Sequence, residues 1–246
     1  MQETFLEDNF EQSILELFEN DLGYTRECGY DIERDVRVPF YEDVLRTSLR
    51  RINTDVPQAF LDEAIERFTS INDGSLVQRN QRFMRYLQEG IAVTKAINGE
   101  ETTYLINLID YSLQDMNDFR VVNQWRYEEL SNKRCDVVVF VNGLPVVVIE
   151  LKSPSAENTD VHDAYLQIKN YQERIPSLFV YNCFSVISDF SETRAGTITA
   201  TEGMYYAIYP AQQNLSVDGD KLTCEAIRTN QTLTPVTFGR GDNTAV

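Results

Sequence analysis

The order of apolar patterns along this sequence predicts an α/β or α+β domain, with a mixed central β-sheet flanked by helices. Helical periodicity fills the first third of the chain, strands rich in β-branched and aromatic residues follow, and one amphipathic helix interrupts those strands. The chain has 246 residues, of which 42% are hydrophobic, so it can bury a sizeable core. We expect a single domain over 1–246, with a mainly helical part at about 1–90, a sheet core at about 91–205 and an extension, or the stub of a longer chain, at about 206–246.

The helical part contains four segments with apolar residues at helical spacing. The predicted helices are residues 4–20, 41–53, 57–69 and 76–88. Pro57 suits the first turn of its helix, Asn72-Asp73-Gly74 predicts a turn, and Gly90 ends the fourth helix.

The sheet core contains seven segments with strand character and one further helix. The predicted strands are residues 91–97, 102–109, 119–127, 137–141, 146–149, 178–187 and 194–200, and the helix is 161–175. Strands 137–141 and 146–149 are continuously apolar rather than alternating, which indicates central strands that are covered on both faces. Residues 215–246 are polar and weakly patterned, and edge strands are one interpretation of them.

The hairpin formed by these two central strands carries Asp136 at its start and Glu150 and Lys152 at its end. Charged groups on a buried hairpin are costly to desolvate unless a bound cation or phosphate compensates them. Glu150 and Lys152 share one face because side chains alternate along a strand. A two-residue Asn142-Gly143 turn would direct Asp136 to the other face, whereas a three-residue turn with a G1 bulge brings it to the face of Glu150. We therefore predict that bulge.

Two carboxylates that leave positions for water and phosphate are typical of a Mg²⁺ site. Such a metal polarises a scissile phosphate and lowers the pKa of a bound water. Lys152 can orient that water or neutralise charge on the phosphoryl oxygens. The alternative is a strand that ends in solvent, with Asp136 as a strand-start residue. The hairpin thus predicts a metal-dependent site for phosphodiester chemistry.

The formal net charge of −17 argues against tight DNA binding by this chain alone. Arg79, Arg82 and Arg85 could form a basic stripe on one helix, although such a stripe is more often a solvated face or a partner interface. We expect any DNA to be delivered by a larger assembly.

Several other classes of protein are disfavoured. The only histidine, His162, is expected at the surface, so a Ser-His-Asp mechanism is poorly supported. The four cysteines lie far apart in or beside apolar stretches, which favours reduced thiols in a cytoplasmic protein: Cys28, Cys135, Cys183 and Cys224. No apolar run approaches the length of a membrane span.

Several stretches of the sequence resemble the nuclease region of the restriction (R, motor) subunit of type I restriction enzymes. They are RCDVVVFVNGLPVVVIELKSP (134–154), IPSLFVYN (175–182), 187–189, 194–200, 74–80 and 118–123. The resemblance covers roughly residues 5–205 and implies the PD-(D/E)xK restriction-endonuclease-like fold. It places Asp136, Glu150 and Lys152 at the catalytic positions. The sequence departs from the family at Cys135, where proline commonly precedes the aspartate.

The same resemblance implies further site residues. Asp136 and Glu150 would bind the metal, with the Leu151 carbonyl as a further ligand. Glu11 is the best match to an acidic residue that an N-terminal helix brings near the metal, and Glu7 competes with it. Gln167 and Tyr171 match a Gln-x-x-x-Tyr motif whose residues support DNA contacts and the active site.

By this resemblance, the chain is a Mg²⁺-dependent endonuclease domain that cuts double-stranded DNA without sequence preference. Its partners would be the methyltransferase and specificity subunits of the restriction complex. The sequence has no phosphate-binding loop, so ATP would serve helicase-like domains of the full-length family protein. The chain stops about where those domains should begin, so we expect a nuclease domain alone. Two rivals stay open: a non-cleaving DNA-binding or assembly module, and a sugar- or nucleotide-binding cytoplasmic domain.

Overall fold

The computed structural model of the chain describes residues 2–152, 161–189 and 191–208, together with five short strands between 216 and 239. Side chains are described for residues 8–152, 161–189 and 191–208. Within these ranges, no helix is long and apolar enough to cross a membrane.

Six helices form, and the first five lie close to the predicted positions. They are α1 (Gln2–Glu16), α2 (Glu42–Ile52), α3 (Gln58–Thr69), α4 (Leu76–Glu89), α5 (Val161–Arg174) and α6 (Pro176–Val180). A π-helical turn at Leu17–Asp21 continues α1. Ser75 and Gln78 form a reciprocal capping box that starts α4, and Gly90 ends this helix, as predicted.

The predicted mixed sheet is confirmed. The strands of its core region are β1 (Thr25–Cys28), β2 (Ile91–Ile97), β3 (Glu100–Ile106), β4 (Phe119–Glu128), β5 (Asn132–Val141), β6 (Leu144–Leu151), β7 (Phe184–Ser188), β8 (Thr193–Gly196) and β9 (Tyr206–Ala207). Seven of them form one sheet in the order β1-β4-β5-β6-β7-β8-β9, and β2 and β3 form a separate hairpin. The β1–β4 and β6–β7 pairs are parallel, whereas the other pairs of the large sheet are antiparallel.

The C-terminal strands do not join the large sheet. They are β10 (Ser216–Asp218), β11 (Lys221–Cys224), β12 (Ile227–Arg228), β13 (Gln231–Thr232) and β14 (Val236–Gly239). β10, β11 and β14 form one small sheet, and β12 pairs with β13. Strands therefore form in this stretch, as one of the two interpretations expected, but the described ones lie outside the large sheet.

The central strands β5 and β6 are covered on both faces, as predicted. On one face, Phe140 and Val148 pack with residues of α5 and α6, including Ile168 and Phe179. On the other face, Leu15 of α1 packs with strand residues that include Val137 and Ile149. The remaining helices, α2, α3 and α4, surround a third cluster with the β2–β3 hairpin and the start of β6.

One predicted strand begins as a helix, and one strand was not predicted. The predicted strand 178–187 begins as the short helix α6, because Pro176 starts a helical turn. Its residues Leu178, Phe179 and Val180 are all buried, and a continuous apolar run does not distinguish helix from strand. The edge strand β1 was not predicted, since its sequence, TREC, is short and mostly polar.

The turn between β5 and β6 differs from the predicted G1 bulge. Asn142 (φ 52°) and Gly143 (φ 78°) form a two-residue turn, and Val141 pairs with Leu144. The irregularity instead lies at Val146, an extra residue between the pairs Phe140–Pro145 and Val139–Val147. The Val146 carbonyl accepts hydrogen bonds from the Cys183 amide (2.8 Å) and the Asn182 side chain (3.3 Å).

The bulge at Val146 shifts the register of the two strands and so brings Asp136 to the face of Glu150, as the predicted bulge at the turn would also have done. Beyond it, Val137 pairs with Ile149, so the same register places Asp136 opposite Glu150. Residues directly opposite each other in an antiparallel pair project to the same face. The prediction that the register brings the two acids together therefore holds, whereas the predicted position of the bulge is wrong.

Replacement of Gly143 by alanine should destabilise the fold, because the turn packs tightly against the start of α2. The Tyr41 amide donates to the Gly143 carbonyl (2.9 Å), and a Cβ on Gly143 would lie 2.5 Å from the Tyr41 carbonyl oxygen. Gly99 is the matched control, since its φ of 87° is also left-handed but nothing lies within 4 Å of its Cβ position. Gly99→Ala should cost about 1–2 kcal/mol and Gly143→Ala clearly more, measured as thermal melting temperatures. Equal losses would contradict the packing argument.

Candidate active site

Three charged groups meet at the end of the β5–β6 hairpin. The Asp136 Oδ2 atom accepts a hydrogen bond from the Leu151 amide (2.8 Å). The Lys152 Nζ atom donates to Glu150 Oε1 (2.5 Å) and to the Leu151 carbonyl oxygen (3.2 Å). The structure thus brings together the Asp136, Glu150 and Lys152 side chains and the Leu151 carbonyl that the sequence singled out.

Both carboxyl groups lie in an environment that opposes their ionisation. Glu150 is 2% exposed. Asp136 keeps more exposure, but protein atoms surround its carboxyl group, and burial together with the Glu150 charge holds its pKa well above the usual range. Burial also raises the pKa of Glu150, whereas the ammonium of Lys152 opposes that rise. Two such acids are costly side by side unless a cation joins them.

The donor atoms fit a hard divalent cation. Glu150 Oε2 is buried without a hydrogen-bond partner among the described residues, and a buried carboxylate oxygen of this kind is a ready metal ligand. Asp136 and the Leu151 carbonyl add oxygen donors of the type that Mg²⁺ prefers. The Lys152 ammonium contacts Glu150 and the Leu151 carbonyl, which are two of the four predicted ligand groups. Among the described residues, no other positively charged group contacts the predicted ligands.

Glu11 approaches from α1, on the opposite face of the sheet from α5. Its Oε1 atom accepts from the Asn123 side chain and its Oε2 atom from the Gln124 side chain, both at 2.6 Å. The Glu11 charge is close enough to contribute to the raised pKa of Asp136. Among the described residues, however, no three acidic, histidine or cysteine side chains converge closely enough to hold a metal. A ligand role for Glu11 therefore requires it to leave its amide partners. Glu7 lies within α1, but its side chain is outside the described set.

Asn123 and Gln124 were missed by the sequence analysis. Gln124 has a left-handed backbone (φ 55°) and lies opposite Asp136 in the β4–β5 register. Val122 and Trp125 pack in the same core cluster although they are three residues apart, so the strand changes faces at Gln124. Such a backbone costs about 1–2 kcal/mol for a residue other than glycine. Two adjacent carboxamides inside an apolar strand were the signal that could have found them.

Tyr171 supports the site from beneath rather than at its surface. It is buried on α5, and its hydroxyl donates to the Arg134 carbonyl (2.7 Å), two residues before Asp136. Gln167 lies half-buried on the same helix, near enough for its side chain to affect the pKa of Tyr171. Direct contact with DNA does not fit the burial of Tyr171. Its position allows the other predicted role, which is to support the active site.

The other predicted features lie away from these acids. Arg82 and Arg85 are exposed on α4, whereas Arg79 is half-buried and its charge is close enough to Tyr127 and Tyr181 to influence their pKa values. The three arginines therefore do not form one exposed basic stripe. His162 is exposed and pairs with Glu202. Cys28, Cys135 and Cys183 are free thiols, as predicted, and the Cys224 side chain is outside the described residues.

Comparison with known sequences identifies the family. Residues 4–203 match the family model described as the type I restriction enzyme R protein N terminus (HSDR_N). The chain belongs to this family. It is 33% identical over 204 residues to the type I restriction enzyme HindI endonuclease subunit of Haemophilus influenzae, across 79% of this chain. It is 30% identical over 190 residues to the putative MjaIXP endonuclease subunit of Methanocaldococcus jannaschii, across 73% of this chain.

The match extends over only part of these relatives. It covers 19% of the HindI subunit and 18% of the MjaIXP subunit, so this chain spans about a fifth of their length. As a type I R-subunit N terminus, the chain aligns with the R subunit over the region that contains the hairpin acids, Lys152, Tyr171 and Glu11.

The buried acids make a testable prediction about stability. At pH 8, Asp136→Asn should raise the melting temperature of the metal-free protein, because asparagine has no carboxylate for folding to bury or protonate but can keep an acceptor for the Leu151 amide. The expected gain is roughly 1–3 kcal/mol, at about 2–4 °C per kcal/mol. Since the pKa of Asp136 is raised in the fold, the wild type regains this stability as pH falls through that pKa, and the difference should shrink.

The matched control is Glu101→Gln, which removes one exposed carboxylate on β3 and should change little at any pH. In a second arm, Mg²⁺ or Mn²⁺ should raise the melting temperature of the wild type and of Glu101→Gln, but not of Asp136→Asn. A metal response that survives in Asp136→Asn would remove this residue from the cation site.

Proposed function

We propose that this type I R-subunit N terminus is a Mg²⁺-dependent DNA endonuclease domain with a PD-(D/E)xK fold. The observation that carries the proposal is the pair of adjacent, buried carboxyl groups beside one lysine, with a buried Glu150 oxygen left without a hydrogen-bond donor among the described residues. Membership of a family named for restriction enzymes supports DNA as the substrate.

Each residue has a distinct role in this proposal. Asp136, Glu150 and the Leu151 carbonyl hold the cation. When bound, Mg²⁺ supplies a Lewis acid for the scissile phosphate and promotes ionisation of the attacking water. Lys152 brings a preorganised positive charge to the same point, where negative charge grows on the phosphoryl oxygens. Tyr171 holds the Arg134 backbone, and through it the position of Asp136. Glu11 adds negative charge from the opposite side.

The proposed substrate is double-stranded DNA cut without sequence preference, with sequence recognition and ATP-driven translocation located elsewhere in a cytoplasmic restriction complex. A net charge of −17 opposes unaided capture of a polyanion. Delivery of DNA by specificity, methyltransferase and motor components would remove that difficulty. The match to only about a fifth of each relative's length leaves room for a motor in a full-length protein.

The test is nicking of supercoiled plasmid in Mg²⁺ at low salt. Glu150→Gln and Lys152→Ala should each lower the rate at least about a hundredfold, as expected for loss of a charge that stabilises the transition state. The controls are Glu101→Gln and Lys133→Ala. Lys133 lies on β5, three residues from Asp136, and forms no ion pair with a described residue. Both controls should nick at the wild-type rate.

Nicking by Lys152→Ala at the wild-type rate would remove the catalytic assignment. A wild type that binds DNA but does not nick it under any divalent cation would favour the rival, a non-cleaving DNA-binding or assembly module.

A further inference from the structure

Two arginines face each other directly across the β4–β5 ladder, beside the candidate active site. Arg126 of β4 is the register partner of Arg134 of β5, and both are exposed. Opposed residues of an antiparallel pair project to the same face, and like charges in this position destabilise a sheet. An anion bound between the two guanidinium groups would relieve this repulsion.

No described carboxylate neutralises this pair. Neither Arg126 nor Arg134 forms an ion pair with any residue whose side chain is described. Other arginines of the same sheet do: Arg26 pairs with Glu19, Arg120 with Glu27 and Asp118, and Arg194 with Glu192. Among the described arginines of the large sheet, Arg126 and Arg134 are thus the two that form no ion pair with a described residue.

The backbone beneath the pair is fixed. The Arg134 carbonyl accepts from the Tyr171 hydroxyl, and the Arg126 carbonyl accepts from the Arg34 guanidinium. Arg34 in turn lies 3.3 Å above the Trp125 ring. The Arg134 guanidinium donates to the hydroxyl of Tyr30 (2.8 Å), a neutral partner that orients it without cancelling its charge.

Arg134 lies near Asp136 on β5. Arg134 precedes Asp136 by two residues, or about 7 Å along a strand. Its guanidinium is exposed, and the Tyr30 hydroxyl orients it. A DNA strand with one phosphate at the acids would bring a neighbouring phosphate within reach of this guanidinium.

We propose that Arg126 and Arg134 form a phosphate-binding subsite, which holds the DNA backbone next to the scissile phosphate. The inference rests on the proposed nuclease function, since it takes DNA as the ligand. Arginine suits the task because its planar guanidinium can bind phosphate oxygens in pairs. In an acidic domain, such a subsite would hold the substrate after another component has delivered it.

The test is binding of a short fluorescent DNA duplex by the full chain, measured by anisotropy over a salt series. Asp136→Asn is present in every protein to prevent cleavage. The Arg126→Gln/Arg134→Gln double variant should weaken binding roughly tenfold or more at low salt. It should also flatten the slope of log K against log [salt] by about 0.9, the value for one neutralised phosphate. Arg126→Lys/Arg134→Lys should keep most of the slope, because it keeps both charges.

The matched control is Arg82→Gln/Arg85→Gln, which removes two exposed charges on α4 without ion pairs among the described residues. Its slope should stay near that of the parent. The melting temperature of Arg126→Gln/Arg134→Gln should stay level or rise, because repulsion is relieved, whereas a purely structural role would lower it.

Each outcome decides something. An unchanged slope in Arg126→Gln/Arg134→Gln, or equal flattening in the α4 control, would overturn the subsite. Absence of duplex binding by the parent at low salt would overturn it as well. If wild type without Asp136→Asn nicks plasmid while the slope is unchanged, the subsite fails and the nuclease proposal stands. If the slope falls as expected but wild type never nicks, the subsite stands and the nuclease proposal fails.

Discussion

The central constraint on this molecule is the burial of two adjacent carboxyl groups at the end of an apolar β-hairpin. Burial raises the pKa of both Asp136 and Glu150, which means that the folded state disfavours the ionised forms of these two carboxyl groups. The Leu151 amide and the Lys152 ammonium offset part of that cost. Proteins retain such unfavourable arrangements mainly where the chemistry requires them. The surrounding architecture is best understood as the means of holding these acids in place.

Departures from regular sheet structure serve this purpose. A ladder that followed the two-residue turn without interruption would place Asp136 and Glu150 on opposite faces, and the extra residue at Val146 corrects the register. On β4, the left-handed backbone at Gln124, opposite Asp136, reverses the sheet face to which the following side chains project. The Gln124 side chain is also one of the two amides that donate hydrogen bonds to Glu11. Bulges beside active sites commonly redirect a side chain in this way.

The distribution of charge bears on the proposed delivery of DNA by other components. The chain is strongly acidic overall, yet the surface next to the acids carries Arg126 and Arg134 without described counter-ions. General repulsion of a polyanion, combined with local attraction at one point, suits a site that acts on DNA already held by another component.

The sequence by itself determined the five longer helices, most of the core strands and the identity of the hairpin charges, because apolar periodicity and turn residues such as Asn142-Gly143 are local signals. It also indicated that Asp136 must share a face with Glu150. Only the tertiary structure decided how this happens, since the bulge at Val146 depends on hydrogen bonds from Cys183 and Asn182, distant in sequence. Strand register also decides two further features. It lets Asn123 and Gln124 donate hydrogen bonds to Glu11, and it pairs Arg126 with Arg134. Register depends on contacts between remote segments, and no local pattern records them.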